Sequence, residues 1–299
     1  MDITGLHLLI TYKCTFECDH CFVWGSPFQN GTMTLDNIRH ILAEAQSVGT
    51  IKWIYFEGGE PTLYYPLLIQ AVKDAYNMGF KVGIVTNSYW ATSISDAKLW
   101  LSPLASLVSD LSISSDLFHY DEMISEQAKN TSAAAEELGI PLGMISIAKP
   151  STSQDTYSIG MIEQGESDIM YRGRAAEKLV KDAQLQTWDT FTECPYEDFR
   201  DPGRLHVDPF GHLHICQGIS IGNIFKDKLA HIFESYTPDS HPIAGPLLRG
   251  GPVNLVKKYQ VPHSNEYADA CQLCYKTREQ LRNLYPNILT PDQVYGVML

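Results

Sequence analysis

The sequence of 299 residues predicts an α/β fold, a partial (β/α)6 TIM-like barrel followed by a small α+β domain. Short apolar strands alternate with amphipathic segments over roughly the first 180 residues, as expected for βαβ units around a parallel sheet. A hairpin pattern and a C-terminal helix pattern follow this alternation. We therefore place the barrel in residues 1–185 and the smaller domain in residues 186–299.

The individual elements are predicted from hydrophobic periodicity and from residues that favour element ends. Strands are predicted near residues 6–12, 51–57, 81–86, 107–114, 141–147 and 167–171. Helices are predicted near residues 34–48, 65–78, 93–101, 121–138 and 174–183. In the first helix, Thr34 is a suitable N-cap, and Leu35, Ile38 and Leu42 follow at helical spacing. Six strand–helix units make the predicted barrel, with ligands at the carboxyl ends of its strands.

Three cysteines directly follow the first predicted strand. Cys14, Cys18 and Cys21 form a Cys-x3-Cys-x2-Cys loop, which can direct three thiolates to one iron–sulfur cluster. The fourth iron then has no protein ligand, and an open coordination position is typical of a catalytic metal centre. Half of a zinc site is the alternative, although zinc loops usually pair two cysteines with a distant second pair.

A second motif stands at the end of the second predicted strand. Gly58, Gly59, Glu60 and Pro61 follow the apolar and aromatic residues 51–56. Paired glycines at a strand end expose backbone groups to a close ligand, and the Glu60 carboxylate could hold an ammonium group there. An ordinary strand-to-helix turn would explain the same residues.

With these two motifs, the sequence resembles the radical S-adenosylmethionine (SAM) superfamily. The resemblance implies a [4Fe-4S] cluster on the three cysteines, which donates an electron to SAM and releases a 5′-deoxyadenosyl radical that abstracts a substrate hydrogen. It also implies that the glycine motif, including Glu60 and Pro61, binds the methionyl amino group of SAM. An electron donor such as flavodoxin or ferredoxin is the partner expected with this chemistry.

Two further strand ends resemble SAM-binding elements of this family. Thr86 and Asn87 close the third strand, although Ser88 stands where the family commonly has glycine. The fourth strand closes with Ser112, Ser114 and Asp116. Short polar side chains at these points can reach a ribose or a carboxylate, while capping and turn chemistry would use the same residue types.

Single residues complete the expected SAM site. Ile145 on the fifth strand resembles a residue that flanks adenine in the family, and His20 stands where an aromatic side chain often contacts adenine. Arg172 or Arg174, after the sixth strand, could bind the SAM carboxylate through a guanidinium group. The alternative is a surface arginine that pairs with Glu177.

The other four cysteines follow the predicted barrel, at Cys194, Cys216, Cys271 and Cys274. Residues 204–216 alternate in two arms around a turn, which predicts a β-hairpin that ends at Cys216. Cys271 and Cys274 begin the predicted C-terminal helix. Four thiolates match a fully ligated cluster, and a structural zinc site is the alternative. The arrangement resembles the SPASM/Twitch extension of radical SAM enzymes and implies its shorter Twitch-like form, with a single auxiliary [4Fe-4S] cluster.

Composition excludes several classes of protein. Lys and Arg number 22 against 35 Asp and Glu, giving a formal net charge of −13, which repels phosphate backbones and argues against a nucleic-acid partner. The sequence has neither an apolar run long enough to cross a membrane nor an N-terminal signal pattern, so we expect no membrane partner and a cytoplasmic location. Seven cysteines, an odd number, also disfavour a secreted disulfide framework.

The expected substrate is a peptide, which the enzyme would oxidise or cross-link during peptide maturation, because several elements resemble the peptide-modifying branch of the superfamily. A dehydrogenase or rearrangement enzyme that acts on a small-molecule metabolite is the alternative. A non-catalytic iron–sulfur or zinc protein is a more distant one, and a carrier would have no need for Gly58, Gly59 and Glu60.

Two further features leave alternatives open. The polar segment 149–165 is long for a connection, so it is either a substrate lid or a plain surface loop. The catalytic acid or base is not identified by the sequence. Candidates at strand ends or in the hairpin, for which a cap or solvated role is the alternative, are Asp116, His119, Asp208 and His214.

Overall fold

The computed structural model describes residues 1–150 and 167–297. The strands are β1 (Gly5–Thr11), β2 (Trp53–Gly58), β3 (Lys81–Thr86), β4 (Asp110–Ser114), β5 (Leu142–Ile145), β6 (Gln186–Thr187), β7 (Arg204–Val207), β8 (His212–Cys216), β9 (Ile219–Asn223) and β10 (Glu266–Tyr267). The helices are α1 (Leu35–Val48), α2 (Tyr65–Asn77), α3 (Ile94–Leu101), α4 (Glu126–Leu138), α5 (Ala175–Lys178), α6 (Leu229–Ser235), α7 (Ala244–Tyr259) and α8 (Ala270–Leu281). Among these described helices, none is both long and apolar enough to cross a membrane.

Most of the strands belong to one sheet. Within the described residues its order is β5-β4-β3-β2-β1-β7-β8-β9, while β6 and β10 form a separate small ribbon. Strands β5 to β1 and β7 are parallel to one another, whereas β8 pairs in antiparallel fashion with both β7 and β9. The predicted α/β fold with a parallel sheet is therefore confirmed.

Local sequence explains why the helices and strands form where they do. Thr34 and Asn37 cap α1 reciprocally, and Gly49 ends the helix in a left-handed conformation with a φ of 78°. In β1, Leu6 and Leu8 are fully buried in the same core cluster as Ile38 of α1. Because side chains alternate along a strand, the intervening residues of β1 lie on the other face of the sheet.

The sixth predicted strand, at residues 167–171, is wrong. Among the described residues, this segment makes only an isolated bridge between Ser167 and Ile147. Its residues lack the alternation of a strand, and the Tyr171 N–H group donates instead to Asp269 Oδ2 at 3.1 Å. The sixth parallel strand is β7, which lies beside β1 at the other end of the barrel sheet.

The hairpin of β7 and β8 therefore extends the barrel sheet itself. His206 pairs with His7 of β1 on one side and with His214 of β8 on the other. This continuity places Cys216, at the end of β8, on the same sheet as β1, the strand that precedes the N-terminal cysteines. The boundary between residues 185 and 186 stays a prediction, and the lid proposed for residues 149–165 lies, from residue 151 onward, outside the described residues.

Candidate active site

The N-terminal cysteine loop begins just after β1. Backbone N–H groups point at two of its sulfur atoms, Gly25 N at 3.1 Å from Cys21 Sγ and Phe16 N at 3.4 Å from Cys14 Sγ. Hydrogen bonds of this kind stabilise the thiolates that hold iron–sulfur clusters. Burial raises the pKa of Cys14 to about 12 and also raises that of Cys18, so a bound metal is what would deprotonate them at neutral pH. The chemistry of three thiols in one loop, two of them accepting backbone hydrogen bonds, suits an iron–sulfur cluster.

Gly58 and Gly59 pack directly against this loop. Gly59 N donates to the carbonyl oxygen of Thr11 at 2.7 Å, and Glu60 N donates to that of Lys13 at 2.8 Å. A Cβ atom on Gly59 would lie only 2.1 Å from the Lys13 oxygen, so a larger residue would force the backbone apart. The glycines thus allow the end of β2 to meet the cysteine loop, and the two sequence motifs form one site.

Glu60 is fully buried beside this contact. Its Oε1 atom accepts hydrogen bonds from Thr62 Oγ1 at 2.6 Å, Thr62 N at 3.1 Å and Thr86 Oγ1 at 2.8 Å, and its Oε2 atom accepts one from Asn87 N at 2.8 Å. Burial raises the pKa of Glu60, although these hydrogen bonds oppose the shift. Asn87 Nδ2 also lies 3.6 Å from Cys14 Sγ. The structure therefore brings Glu60, Thr86 and Asn87 together at the cysteine loop.

Ser88 and Pro61 shape the turns on either side of Glu60. Ser88 has a φ of 58°, in the left-handed region that favours glycine. Its N–H group donates to Thr86 Oγ1 at 3.1 Å, and this hydrogen bond helps to stabilise the turn even though the residue is a serine and not a glycine. Pro61 begins a 3-10 turn, where its fixed φ is suitable and no N–H group is required.

The predicted residues on β4 and β5 lie at the neighbouring strand ends. Ser114 pairs with Ile145 in the parallel register, and Ile145 is 39% exposed. Ser112 lies two residues earlier and donates to Asp110 Oδ2 at 3.1 Å. Because the carboxyl ends of parallel strands meet at one edge, these side chains share an edge of the sheet with Glu60.

Asp116 organises the loop that follows β4. Its Oδ1 atom accepts hydrogen bonds from Phe118 N at 2.9 Å and His119 Nδ1 at 2.8 Å, and its Oδ2 atom accepts one from Ile147 N at 3.2 Å. Burial raises the pKa of Asp116, but the hydrogen bond and the charge of His119 outweigh it, so the net shift is downward. Asp116 therefore orients His119 and fixes the loop.

His20 lies against this loop. Its ring centroid is 4.7 Å from that of Phe118 and 5.2 Å from that of His119. Burial lowers the pKa of His20 to about 4, so the ring is neutral at physiological pH. A neutral ring in an aromatic group suits stacking better than proton transfer.

Arg174 binds the backbone of the cysteine loop. It donates from Nη1 to the carbonyl oxygen of Cys18 and from Nη2 to that of Gly25, both at 2.8 Å. The guanidinium group is buried and lies 5.3 Å from the ring centroid of Trp24. The alternative of a surface pair with Glu177 is therefore wrong for Arg174, and Glu177 pairs with Lys276 instead.

Arg172 lies at the C-terminal cysteines, and its contact with SAM stays a prediction. Its Nη1 atom is 3.1 Å from Glu197 Oε1 and 3.7 Å from Cys216 Sγ. Gly173, with a φ of 59°, turns the chain between the two arginines. Arg172 and Arg174 consequently reach different cysteine groups, which their spacing alone does not predict.

The four C-terminal cysteines line one pocket. Together with Arg172 and Arg278, the pocket residues include Cys194, Cys216, Cys271 and Cys274. Cys216 comes from the end of β8, and α8 presents Cys271 and Cys274 about one turn apart. Burial raises the pKa of Cys274 to about 12 and also raises those of Cys194 and Cys271. All seven cysteines lie within the described residues, and none is in a disulfide.

Arg278 is a pocket residue that the sequence analysis missed. It is buried and donates to the carbonyl oxygen of Gln217 at 2.8 Å. Its charge and hydrogen bond lower the pKa of Cys274, against the larger effect of burial. The available signal was the spacing, because Cys274 and Arg278 are four residues apart on a predicted helix and share a face.

The hairpin candidates Asp208 and His214 are completely buried in a hydrogen-bonded group. Asp208 Oδ2 lies 3.0 Å from His212 Nδ1 and 3.2 Å from His214 Nε2. Asp208 Oδ1 accepts from Phe210 N and His212 N at 2.9 Å each. Asp208 therefore caps the hairpin turn.

Comparison with known proteins identifies similar sequences. Residues 8–145 match the model of the radical SAM superfamily. A stretch of 127 residues is 32% identical to the S-adenosylmethionine-dependent nucleotide dehydratase of Selenomonas ruminantium and covers 42% of this chain and 44% of that protein. A stretch of 119 residues is 29% identical to YydG of Bacillus subtilis, named for peptide biosynthesis, and covers 40% of this chain and 37% of that protein. The chain thus spans less than half the length of these curated relatives.

A solved structure supports the fold. The structure described as native anSMEcpe with bound AdoMet superposes with a TM-score of 0.51 at 13% sequence identity, and the match covers 95% of this chain and 99% of that one. At this level of identity the likeness shows a shared fold.

Proposed function

Because residues 8–145 match the model of the radical SAM superfamily, we propose that the chain cleaves SAM reductively and abstracts a hydrogen atom from its substrate. The observation that carries the proposal is the contact between the cysteine loop and the end of β2, where Gly59 N donates to the Thr11 carbonyl oxygen. Cys14, Cys18 and Cys21 would hold a [4Fe-4S] cluster, which would supply the electron for the reductive cleavage of SAM.

The Glu60 carboxylate has one hydrogen-bond acceptor position left for the ammonium group of SAM. Its Oε1 atom already accepts hydrogen bonds from Thr62 and Thr86, whereas its Oε2 atom accepts only that of Asn87 N within the described residues. A carboxylate oxygen can accept about two hydrogen bonds. The free lone pair of Oε2 is therefore suited to the ammonium group, while Thr62 and Thr86 hold the carboxylate in place.

Other residues would bind the remainder of SAM. The neutral ring of His20 would stack on adenine, and Ile145, at the end of β5, would contact it. Ser112 and Ser114 would donate hydrogen bonds to ribose or carboxylate oxygens. Asp116 acts on this site through the loop that it fixes.

The four-cysteine pocket would hold a second [4Fe-4S] cluster. Four thiols would leave no iron without a protein ligand, and the guanidinium groups of Arg172 and Arg278 would offset the negative charge of four thiolates. After hydrogen-atom abstraction, net oxidation of the substrate still requires the loss of one electron and one proton. This pocket is where the electron would be accepted, and flavodoxin or ferredoxin would supply the reducing electron at the first site.

The proposed substrate is a peptide, which would be oxidised or cross-linked in the cytoplasm. The match to the peptide biosynthesis protein of Bacillus subtilis supports this class. A small-molecule substrate is the second candidate, supported by the 32% identity to a nucleotide dehydratase. Both matches are partial, so substrate tests must include both classes.

Metal analysis tests the two-cluster part of the proposal. After anaerobic reconstitution, the full chain should contain about eight irons and eight sulfides, since each cluster carries four of each. The double variant C271A/C274A should contain about half of both. Four irons and four sulfides with one zinc in the wild-type chain would contradict the second cluster.

The substrate class can be tested by product formation. The reduced enzyme would be incubated with SAM and either a set of nucleotides or a short peptide encoded beside its gene. Formation of 5′-deoxyadenosine coupled to a change in peptide mass supports the proposal. Coupling to a nucleotide alone would replace the peptide by the second candidate.

A further inference from the structure

Three side chains that neither cysteine site uses meet on the sheet. They come from neighbouring strands, His7 from β1, Glu57 from β2 and His206 from β7. His7 Nδ1 lies 3.3 Å from Glu57 Oε2, and His206 Nε2 lies 3.2 Å from Glu57 Oε1. One ligand atom of each residue lies within 4.8 Å of those of the other two. Parallel register creates this group, because His7 and His206 are direct partners and Glu57 lies opposite Leu9.

The contact between Glu57 and His206 does not meet strict hydrogen-bond geometry. Glu57 Oε1 is buried and has no hydrogen-bond partner within the described residues, although His206 Nε2 is 3.2 Å away. A hydrogen bond requires the N–H group to point at the acceptor, with an angle above ~120°. Two atoms that bind the same metal ion also lie about 3 Å apart, but each directs its lone pair at the ion between them. The 3.2 Å separation of Oε1 and Nε2 is compatible with two ligands of one ion.

A second group of two histidines and one carboxylate, elsewhere in the chain, provides a comparison. Asp208 Oδ2 lies 3.0 Å from His212 Nδ1 and 3.2 Å from His214 Nε2, and both contacts have hydrogen-bond geometry. The backbone N–H groups of the hairpin satisfy the other oxygen, Oδ1. That group is therefore an ordinary polar network, whereas the group around Glu57 keeps a buried oxygen without a donor.

The three side chains remain accessible to a small ion. The side chains of His7, Glu57 and His206 are 19%, 13% and 16% exposed. Tyr55 stacks on His7 at 4.6 Å between ring centroids with an interplanar angle of 14°, which restricts the orientation of the imidazole. A ligand group that is partly open and held by a neighbouring ring requires little rearrangement on binding.

We propose that His7, Glu57 and His206 bind one divalent first-row transition metal ion, in addition to the centres on the cysteines. Two imidazoles and one carboxylate suit zinc, iron(II) and manganese(II), and three protein ligands leave coordination positions for water or substrate. The ion would lie on the face of the sheet opposite Leu6 and Leu8. This site goes beyond the proposed function and does not depend on it.

Manganese(II) is the appropriate probe, because it prefers nitrogen and oxygen ligands to the thiolates of the cysteine sites. It would be titrated into the full chain after cluster reconstitution, with free ion measured by electron paramagnetic resonance. The wild-type chain should bind one manganese with a defined affinity, and E57Q and H206Q should each weaken that binding at least about tenfold. Bound metal should also raise the thermal unfolding temperature of the wild type, but not that of E57Q.

Controls separate this site from the rest of the chain. H212Q, in the hydrogen-bonded group, should bind manganese as the wild type does, and so should the triple variant C14A/C18A/C21A. Circular dichroism verifies folding, and H206Q serves if E57Q does not fold. Absence of tight manganese binding in the wild type, unchanged binding in E57Q and H206Q, or loss of binding in H212Q would each overturn the proposal.

Discussion

Arg174 donates a hydrogen bond to the carbonyl oxygen of Cys18 at 2.8 Å, inside the N-terminal cysteine loop. Two residues earlier, Arg172 lies 3.7 Å from Cys216 Sγ in the C-terminal cysteine pocket. The positive φ of Gly173 lets this short segment reach both groups. The two proposed metal centres are therefore linked by three consecutive residues, and substitutions there should affect each centre separately.

The R174K substitution should weaken the N-terminal loop. Arginine donates from two nitrogen atoms to the carbonyl oxygens of Cys18 and Gly25, whereas lysine has a single ammonium group. In R174K one of these oxygens therefore loses its hydrogen-bond donor. A loss of about 1–3 kcal/mol in the free energy of unfolding is expected, together with lower iron retention. Urea unfolding and iron analysis measure these effects. R200K, in an exposed pair with Asp239, is the control, and equal behaviour of the two variants would refute the role of Arg174.

The R172Q substitution should lower the reduction potential of the proposed second cluster. The reduced cluster carries more negative charge than the oxidised one, so removal of a nearby positive charge disfavours reduction. The loss also leaves Glu197 unpaired, which acts in the same direction. A potentiometric titration monitored by electron paramagnetic resonance measures the shift, with R200Q as the control. An unchanged or higher potential in R172Q would count against the assignment.

The E60Q substitution should weaken SAM binding. A hydrogen bond to a charged group contributes about 1.5–3 kcal/mol, which corresponds to a rise in Kd of roughly 10- to 100-fold. The NH₂ group of the glutamine would also face one of the donors, Thr86 Oγ1 or Asn87 N, whose hydrogen bond the carboxylate now accepts. Calorimetric titration of SAM into the reconstituted chain gives the Kd, and E137Q, on an exposed part of α4, is the control. Equal Kd values for the two variants would exclude Glu60 as the ammonium site.

His241 should make stability depend on pH. Burial lowers its pKa from 6.5 to about 4, and its Nδ1 atom accepts from Ile243 N at 3.2 Å and Ala244 N at 3.0 Å at the start of α7. The unfolded chain therefore binds a proton that the folded chain does not between these two pH values. The contribution is fully present above about pH 6.5 and is lost as the pH falls toward 4.

The H241N substitution isolates this contribution. The asparagine oxygen can accept the same N–H groups without titrating. Urea unfolding of both proteins at pH 7 and pH 5 should show a larger loss of stability at pH 5 for the wild type than for H241N. The same loss in both proteins would assign the effect to other groups.

Sequence patterns predicted those features that depend on short spacings. The Cys14, Cys18 and Cys21 loop, its proximity to Gly59 and the first five parallel strands were all within reach of local reasoning. The prediction of a strand near residues 167–171 is wrong. The segment begins with the polar Ser167 and Asp168, and the Tyr171 N–H group donates to the Asp269 side chain and not to a neighbouring strand. The two apolar residues between them, Ile169 and Met170, are too few to predict a strand.

Features that depend on strand register could not be read from the sequence. The sequence does not predict that Arg172 lies beside Cys216, because this contact depends on where β8 places the cysteine. The group of His7, Glu57 and His206 exists only because β7 lies beside β1 in the sheet. No local pattern places residues 7 and 206 on adjacent strands.

Reductive cleavage of SAM tests the central claim most directly. The reconstituted, reduced wild-type enzyme should form 5′-deoxyadenosine from SAM, as should C271A/C274A at the level of at least one turnover, because the first centre is retained. C18A should form none, since the loop then lacks a ligand for the cluster. Cleavage by C18A at the wild-type rate, or no cleavage by the fully reconstituted wild-type enzyme, would contradict the account.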